Sequence, residues 1–320
     1  LIEIGEPAIP YLMGALSEED EALNQVVMDI LAANGAEAVP ALITTLNHTD
    51  KKVQNQGFEA LVEIGEPAVP SLVASLAEGD QRENVSEVLM AIGEPCIGPL
   101  IEALDVSELN EPAGDLIIEM GADAVDPLVQ AYEDDPTDYQ RLLRPLSYGL
   151  KLPNAKAREK VKEAVVSIGA PAVPQLLTLV LEANQIQHNG VVIFANPVME
   201  GPSGASQGKL VNGGLCDSAG NWDDKIVLCK RGENFFYEKI VNVQDGGGIG
   251  VILYNNVPGA ILPTIIGYED DVKIPSVALS DEEGKALGKD AVNDEVYIRS
   301  EDTSFILRTV VEIGEPAIAD

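Results

Sequence analysis

The side chains that most often perform hydrolytic chemistry are few in this sequence and far apart. Its two histidines, His48 and His188, are 140 positions apart, so they offer little to a nucleophile–base pair, whose members must lie within hydrogen-bond reach. The nucleophile motif G-x-S-x-G and the zinc motif H-E-x-x-H are both absent from the sequence. Ser203, within residues 201–204, is in a segment whose composition is typical of a loop. We therefore expect a non-enzymatic chain with no catalytic residue of its own.

Metal and nucleotide sites are not indicated either. The glycine-rich segment 246–250 lacks the glycine that a dinucleotide fingerprint needs at the next position, which is Val251, and it follows a predicted helix instead of opening one. Acidic runs at residues 18–21, 133–135 and 269–271 lack the alternating ligands and central glycine of a calcium loop. Solvated turns are the favoured interpretation of these runs. We expect no bound metal and no cofactor.

Three cysteines remain as reactive side chains. Cys96 occupies a position that is alanine in sibling segments of the chain, which indicates a small packing residue. Cys216 and Cys229 flank a short loop, and a disulfide between them would add about 2–3 kcal/mol of stability by closing it. Free thiols are the alternative, and a metal pair is disfavoured because no third ligand of suitable spacing accompanies them.

The overall charge argues against some classes of binding partner. The chain carries 53 acidic and 20 basic residues, a formal net charge of −33, which would repel nucleic acid and anionic membranes. No run of 18 apolar residues occurs, so no membrane insertion is expected. The acidity is uneven, since residues 1–140 hold 29 acidic and three basic side chains.

An internal repeat organises the first half of the chain. The segment 4–10 recurs almost unchanged as residues 64–70, and related copies begin at Gly35, Gly93, Gly121, Gly169 and Gly314. Each glycine is suited to end a helix, and the proline two residues later, as in Pro67, is suited to open the next one. Apolar residues follow each glycine at four, seven and eleven positions: Ile9, Val39, Val69, Ile97, Val125 and Val173; Leu12, Leu42, Leu72, Leu100, Leu128 and Leu176; Leu16, Leu46, Leu76, Leu104, Tyr132 and Val180. These spacings form one helical face, so the units must stack into a solenoid to bury it.

These motifs resemble HEAT-like repeats, in the short form of about 30 residues known from phycobilin lyases. The resemblance covers residues 1–185 and the final turn. Some relatives bind iron through His-Glu pairs, but here His48 precedes Thr49 and His188 precedes Asn189, so that chemistry is not expected. The spacing from Gly121 to Gly169 holds roughly 20 extra residues. They contain a basic cluster, which we expect to pair with neighbouring acids: Arg141, Arg144, Lys151, Lys156, Arg158, Lys160 and Lys162.

An insertion interrupts the repeat between Gly169 and Gly314. Within it the apolar pattern changes to that of short strands with intervening helices, which predicts a small α/β domain. The predicted strands are residues 190–194, 225–229, 250–254, 274–279 and 295–298. The predicted helices are residues 235–244, with Phe236, Ile240 and Val243 on one face, and a segment opened by the capping box Ser280-x-x-Glu283.

The insertion resembles a protease-associated (PA) domain. The resemblance is carried in order by residues 212–222, 225–232, 236–240, 247–256 and 274–280. It implies a non-catalytic module that recognises substrates or partners. The apolar loop that follows residue 256 would then approach the partner, and its candidate binding residues are Pro258, Ile261, Leu262, Ile265 and Ile266. Packing of this loop on the domain's own core is the alternative.

The predicted fold is multidomain, an all-α HEAT-like solenoid interrupted by a small α/β PA domain. The predicted domains are residues 1–185 (solenoid), 186–306 (PA domain) and 307–320 (resumed repeats). Because both ends of the chain fall inside repeats, we expect a slice of a longer polypeptide.

The sequence favours a non-catalytic scaffold that binds a protein or peptide, in an extracellular or cell-surface setting. One alternative is a regulatory segment of a larger secreted peptidase, whose catalytic domain lies elsewhere in the same full-length protein. The other alternative is a lyase- or chaperone-like solenoid.

Overall fold

The structure is a computed structural model that describes residues 8–13, 15 and 21–318. Three sets of residues that carry sequence predictions lie outside the described residues: residues 4–7 of the repeated segment 4–10, Leu16 and the acidic residues 18–20. The chain forms two compact units, residues Leu1–Ile168 and Gly169–Asp320.

The described part of unit 1 is helical, with two α-helices to each repeat, as predicted, except between Gly121 and Gly169, where the extra residues add a third. Its core is built from the predicted apolar face, with Leu42, Leu72 and Leu100 fully buried. The helices are α1 (Ile9–Met13), α2 (Glu21–Ala33), α3 (Val39–Thr45), α4 (Lys51–Ile64), α5 (Val69–Ser75), α6 (Arg82–Ile92), α7 (Ile97–Ala103), α8 (Ser107–Met120), α9 (Val125–Asp134), α10 (Tyr139–Gly149) and α11 (Ala155–Ile168).

The turn inside each repeat differs from the prediction in one respect. Gly65 ends α4 with φ 67° and ψ −131°, a conformation open to glycine because it has no Cβ. The prediction that Pro67 opens the next α-helix is wrong: Pro67 lies in a short 3₁₀ turn, Glu66–Ala68, and Pro70 stands in the first turn of α5. The tighter turn joins α4 to α5, and Pro70 costs nothing there because helix-start N–H groups have no intrahelical partner.

Two glycines of one repeat provide a test of this geometry. Gly98 lies in α7 with open space where a Cβ would stand, whereas Gly93 has φ +79°. We expect Gly98→Ala to stabilise unit 1 by about 0.5–1 kcal/mol, because alanine has less conformational freedom to lose on folding. Gly93→Ala should destabilise it by at least about 1 kcal/mol, because alanine is strained at positive φ. Urea unfolding followed by circular dichroism at 222 nm measures both, and equal effects of the two substitutions would contradict the assigned turn.

The acidity of unit 1 has a periodic component. One acidic residue stands six positions before each of the five repeat glycines from Gly35 to Gly169, and all five are exposed: Asp29, Glu59, Glu87, Asp115 and Glu163. The basic cluster around α10 neutralises part of this charge, as predicted. Arg144 pairs with Asp115, and Lys160 pairs with Asp126 on α9.

The described part of unit 2 contains one mixed sheet and four helices. The strands are β1 (Gln185–His188), β2 (Val191–Phe194), β3 (Asn196–Pro197), β4 (Gly204–Gly214), β5 (Lys225–Lys230), β6 (Gly250–Tyr254), β7 (Ser276–Leu279) and β8 (Glu295–Ser300), in the spatial order β2-β1-β8-β4-β5-β6-β7-β3. The helices are α12 (Val173–Ala183), α13 (Phe236–Asp245), α14 (Asp281–Asp290) and α15 (Ser304–Ile318). Strands β4, β5, β6 and β7 are parallel to one another, and the other pairings in the sheet are antiparallel.

Two apolar cores cover the faces of this sheet. Helix α13 packs on one face through Ile240 and Val243, and α14 packs on the other through Leu287. The predicted face of α13 is therefore confirmed, as is the Ser280–Glu283 capping box of α14. The predicted fold class, helical repeats followed by an α/β domain, is likewise confirmed.

The helices that flank the sheet also belong to unit 2. Helices α12 and α15 pack against each other, although the repeat pattern assigns α12 to the solenoid. Helix α15 continues through Gly314, where the pattern predicts a helix end, because a glycine permits a helix to end but does not force it to do so. Compactness does not define evolutionary domains, so the boundaries 1–185, 186–306 and 307–320 stay a prediction.

Among the described residues, no single helix is both long and apolar enough to cross a membrane. The consecutive helical segments Ala155–Ile168 and Ala170–Ala183 satisfy length and composition only when they are taken as a pair.

Candidate binding site of the α/β domain

The loops that follow the parallel strands meet at one edge of the sheet. Strands β5, β6 and β7 run in the same direction, so their carboxyl ends, and the amino-terminal ends of α13 and α14, face that edge. In open α/β sheets, ligands bind outside the carboxyl ends of the strands. The predicted partner-binding loop follows β6 and therefore lies at the edge where this architecture places ligand sites.

A buried amide fixes the start of that loop. Asn255 directly follows β6 and is almost inaccessible to solvent. Its Nδ2 donates to the carbonyl oxygens of Gly259 (3.0 Å) and Ala260 (3.3 Å), and its Oδ1 accepts from Arg231 Nη1 (3.2 Å). Because both ends of the amide are hydrogen-bonded inside the protein, the loop is held in one conformation. Sequence reasoning missed Asn255, although an asparagine directly after a strand is a common turn residue.

The five predicted binding residues divide into two groups. Ile261 and Ile265 are buried in the core beneath α13. Leu262 and Ile266 are 52% and 60% exposed, and Pro258 is exposed as well. The packing alternative thus applies to the buried pair, and the other three residues are open to solvent. The binding role of the exposed residues stays a prediction.

Next to this loop, three aromatic side chains form what we call the aromatic platform: Phe235, Tyr237 and Tyr268. The rings of Tyr237 and Tyr268 are stacked with centroids 3.6 Å apart, and those of Phe235 and Tyr237 lie 6.0 Å apart. Phe235 is 69% exposed and Tyr268 is 41% exposed. Sequence reasoning missed the platform because its members come from two separate segments, the start of α13 and the loop after β6.

Hydrogen bonds join the two segments that carry the platform. Gln244, near the end of α13, donates from Nε2 to the carbonyl oxygen of Asp271 (3.3 Å), and its Oε1 accepts from the backbone N–H of Lys273 (2.8 Å). These contacts tie the loop to the helix on the side of the sheet that carries the platform. The aromatic surface is therefore built before any ligand arrives, which lowers the entropic cost of binding.

Tyr268 influences the ionisation of Tyr237. The hydrogen bond with Tyr268, followed by burial and the charges of Tyr268 and Glu238, raises the pKa of Tyr237 to about 12. The Glu269 carboxylate accepts a hydrogen bond from the backbone N–H of Gly267 (2.8 Å), which lowers the pKa of Glu269. The platform thus presents the neutral phenol of Tyr237 and the ionised carboxylate of Glu269 at neutral pH.

Replacing one hydroxyl tests this coupling. In Tyr268→Phe, the pKa of Tyr237 should fall from about 12 towards its ordinary value of 10, because the first cause of the shift is removed. Nuclear magnetic resonance of ring-labelled tyrosine at about pH 11 would then show Tyr237 ionised in the variant and protonated in the wild type. Tyr11→Phe, in a side chain 80% exposed in unit 1, is the matched control. A Tyr237 that stays protonated in Tyr268→Phe would contradict the assignment.

The base of α13 is anchored to a disulfide loop. Cys216 and Cys229 form a disulfide bond, as the sequence predicts. Lys239 on α13 is completely buried, and its Nζ donates to the carbonyl oxygen of Leu215 and to Oδ1 of Asn234. Burial lowers the pKa of Lys239, because the charged ammonium loses its hydration.

The side chains considered for hydrolysis take part in other contacts. Nε2 of His188 lies 2.9 Å from Asp294 Oδ2 at the end of the domain's antiparallel strands, and the Ser203 hydroxyl accepts from the backbone N–H of Asp302 (2.9 Å). Burial raises the pKa of the Cys96 thiol to about 11, so this cysteine is not a thiolate near neutral pH. In the part of the chain that the structure describes, no group of three or more His, Cys, Asp or Glu side chains could hold a metal ion.

Comparison with protein families supports both halves of the architecture. Residues 3–93 match HEAT repeats, and residues 205–287 match the PA domain. The chain therefore contains HEAT repeats in its N-terminal region and a PA domain in unit 2, as the motifs predict.

Curated relatives match over short segments. A 67-residue segment is 43% identical to leucine aminopeptidase 2 of Trichophyton equinum, and it covers 21% of this chain and 13% of that protein. A 63-residue segment is 35% identical to the minor extracellular protease Vpr of Bacillus subtilis (strain 168), and it covers 20% of this chain and 7% of that protein. The chain thus spans a small part of the length of these peptidases.

Solved structures of peptidases also resemble part of this chain, at lower sequence identity than the curated relatives. The zinc aminopeptidase BSAP of Bacillus subtilis aligns over 46% of this chain and 38% of its own, with 23% identity and a TM-score of 0.32. The subtilisin-like protease Apa1 of Pseudoalteromonas sp. AS-11 aligns over 42% and 39%, with 20% identity and a TM-score of 0.31.

Proposed function

We propose that this chain is a non-catalytic interaction scaffold whose PA domain recognises a protein or peptide partner. The observation that carries the proposal is the surface at the carboxyl edge of the sheet. There, exposed apolar and aromatic side chains stand on a loop that Asn255 and Gln244 hold in place. Rigid, exposed apolar groups beside hydrogen-bonding backbone are typical of protein-binding surfaces.

The placement of this surface favours recognition over packing. Leu262 and Ile266 alternate along the loop with the buried Ile261 and Ile265. The buried pair anchors the loop in the core, and the exposed pair is left for a partner. Such an arrangement limits the conformational entropy that binding must overcome.

An extracellular or cell-surface setting belongs to the same proposal. A disulfide between Cys216 and Cys229 is a feature of oxidising compartments. One of the peptidases that match this region is described as extracellular.

A second candidate is a regulatory or substrate-recognition segment of a larger secreted peptidase. It is favoured by the matches to peptidases, in which the similar segment occupies 13% or less of the relative. In this version the partner surface would present substrates to a catalytic domain elsewhere in the same polypeptide. Both candidates assign binding, and not hydrolysis, to the residues of this chain.

A library of random peptides tests the binding function. The full 320-residue chain, immobilised, should retain a subset of the library, which mass spectrometry identifies. The double substitution Leu262→Ser and Ile266→Ser should weaken binding of the retained peptides at least about tenfold, the loss expected from two apolar contacts. Val191→Ser with Val192→Ser, on the exposed strand β2, is the matched control and should leave binding unchanged.

The same incubation tests the absence of catalysis. Every library peptide should be recovered intact. Cleavage that is abolished by replacing a single Ser, Asp or His of this chain would overturn the proposal. Equal loss of binding in the Leu262/Ile266 and Val191/Val192 variants would show that the exposed loop residues are not the binding surface.

A further inference from the structure

The aromatic platform has features that the proposed function does not use. Phe235, Tyr237 and Tyr268 expose ring surface at the start of α13, although aromatic residues are only 4% of the sequence. Tyr237 packs against the apolar core and stacks with both Phe235 and Tyr268, so the ring surface open to solvent or a ligand is mainly that of Phe235 and Tyr268. The face of an aromatic ring carries partial negative charge and attracts cations.

Carboxylates are present in both platform segments, and basic side chains are not. Residues 232–238 and 264–272 contain five acidic residues and no lysine or arginine: Glu233, Glu238, Glu269, Asp270 and Asp271. None of these five forms an ion pair within the described residues. Basic residues flank these segments at Arg231, Lys239 and Lys273. Lys239 interacts electrostatically with Glu238, but its ammonium donates to Leu215 and Asn234. Acidic side chains therefore outnumber basic ones around the platform.

Two of the carboxylates are held in place. Glu238 Oε2 accepts from the backbone N–H of Phe235 at 2.9 Å, and Glu269 Oε1 accepts from the backbone N–H of Gly267 at 2.8 Å. Each acid thus stands within three residues of a platform ring. Glu238 contributes to the raised pKa of Tyr237, which places its charge close to that phenol. Fixed negative charge beside aromatic faces favours a ligand that is both cationic and able to cover a ring.

We infer that the aromatic platform binds a lysine or arginine side chain of an extended peptide, with its cationic head near Glu238 and Glu269. The inference rests on the proposed function and deepens it, because it names the chemistry of the partner. The aliphatic stem covers the rings of Tyr268 and Phe235 and the charged head meets the carboxylates. An acidic peptide is repelled at the same place, so the platform selects by charge as well as by shape.

Peptides that differ in one residue test the inference. Seven-residue peptides of Gly, Ala and Ser carry Lys, Arg, Nε-acetyl-lysine, Leu or Glu at the centre, and fluorescence anisotropy measures their affinity for the full chain. We expect the Lys and Arg peptides to bind about tenfold more tightly than the acetyl-lysine and Leu peptides. Binding of the Glu peptide should be weaker still. Equal affinity for lysine and acetyl-lysine would overturn the inference.

Substitutions locate the binding. Tyr268→Leu keeps an apolar side chain but removes the aromatic face, and it should lower the affinity for the Lys peptide about fivefold. Phe235→Ala should have a similar effect, whereas Tyr11→Ala, in the highly exposed Tyr11 of unit 1, should have none. The emission spectrum of Trp222 checks that the variants keep the folded α/β domain. Unchanged affinity in Tyr268→Leu and Phe235→Ala, or the same loss in Tyr11→Ala, would refute the platform.

The outcomes separate this inference from the proposed function. If the retained library peptides lack basic residues and their binding is weakened only by the Leu262/Ile266 substitution, the scaffold function stands and the platform inference fails. If no library peptide binds, both fail. Enrichment of lysine and arginine among the retained peptides, lost in Tyr268→Leu, supports both.

Discussion

Removing the disulfide by the double substitution Cys216→Ala and Cys229→Ala should lower the free energy of unfolding of the α/β domain by about 3 kcal/mol. The bond closes a loop with a sequence separation of 13 between its cysteines, and opening it restores conformational freedom to the unfolded chain. Leu215, directly before Cys216, accepts a hydrogen bond from the buried Lys239 through its carbonyl oxygen. The loss is therefore expected to extend to the anchoring of α13.

The single tryptophan makes the measurement specific to this domain. Trp222 lies in the disulfide loop and packs against the core beneath α13. Urea unfolding followed by its fluorescence reports on the α/β domain without contribution from unit 1, whose described residues contain no tryptophan. Far-ultraviolet circular dichroism, dominated by the helices, follows the whole chain in parallel.

A third cysteine supplies the control for this experiment. Cys96→Ala removes a buried sulfur at a position where the equivalent residues are Ala68 and Ala172, and it leaves the disulfide intact. It should leave the Trp222 transition unchanged. If the double variant unfolds at the same urea concentration as the wild type, the bond does not contribute as assigned. Alkylation of both Cys216 and Cys229 without prior reduction would show that it does not form.

The parts of the fold that depend on local periodicity could be predicted from the sequence. The repeat glycines and the apolar faces of the solenoid are set by spacings of three and four residues, which the chain repeats several times. Strands β5, β6 and β7 are continuous apolar runs because both faces of a parallel sheet are covered. The capping box at Ser280 is likewise a local signal, carried by four adjacent residues.

Strand β4 could not be predicted in the same way. Its sequence, residues 204–214, contains four glycines and few apolar side chains, a composition that favours loops. The strand forms because β5 and β8 supply hydrogen-bond partners on either side. Gly208 and Gly213 are also needed for close packing, since a Cβ at either position would lie within 3.0 Å of Asp224 or Val227. Tertiary contacts, which local pattern does not encode, decide this element.

Only part of the candidate site could be predicted, because the rest also depends on tertiary contacts. The loop after β6 is visible in the sequence as an apolar run with two prolines. Its division into buried and exposed residues depends on where the core lies, and the platform depends on the meeting of residues 235–237 with Tyr268. Each requires a long-range contact. The role of Lys239 was also missed, because a lysine on an exposed-looking helix turn ordinarily reaches solvent.

Replacing the buried lysine is expected to have the other large effect on stability. Lys239→Ala should lower the free energy of unfolding of the α/β domain by about 3–4 kcal/mol, because it leaves a cavity and two acceptors without a donor. Lys239→Met fills most of the same volume and removes the cost of burying a charge. It should lose only about 1–2 kcal/mol, from the unpaired oxygens of Leu215 and Asn234. Trp222 fluorescence in urea ranks the two variants.

The stability difference between the wild type and Lys239→Met depends on pH if the buried group is an ammonium, and does not if the effect is one of packing alone. Burial lowers the pKa of Lys239 below its ordinary 10.5, so between the folded-state pKa and 10.5 the unfolded chain binds more protons than the folded one. The stability of the wild type relative to Lys239→Met should therefore rise as the pH increases from the folded-state pKa towards 10.5. The same gain is lost when the pH is lowered back through the folded-state pKa. Because Tyr237 and the other titrating groups are common to both proteins, their contributions cancel in the difference. A stability difference that does not change with pH would mean that Lys239 has the same pKa in the folded and unfolded states. A larger loss in Lys239→Met than in Lys239→Ala would contradict the expectation that methionine fills the volume of the buried lysine.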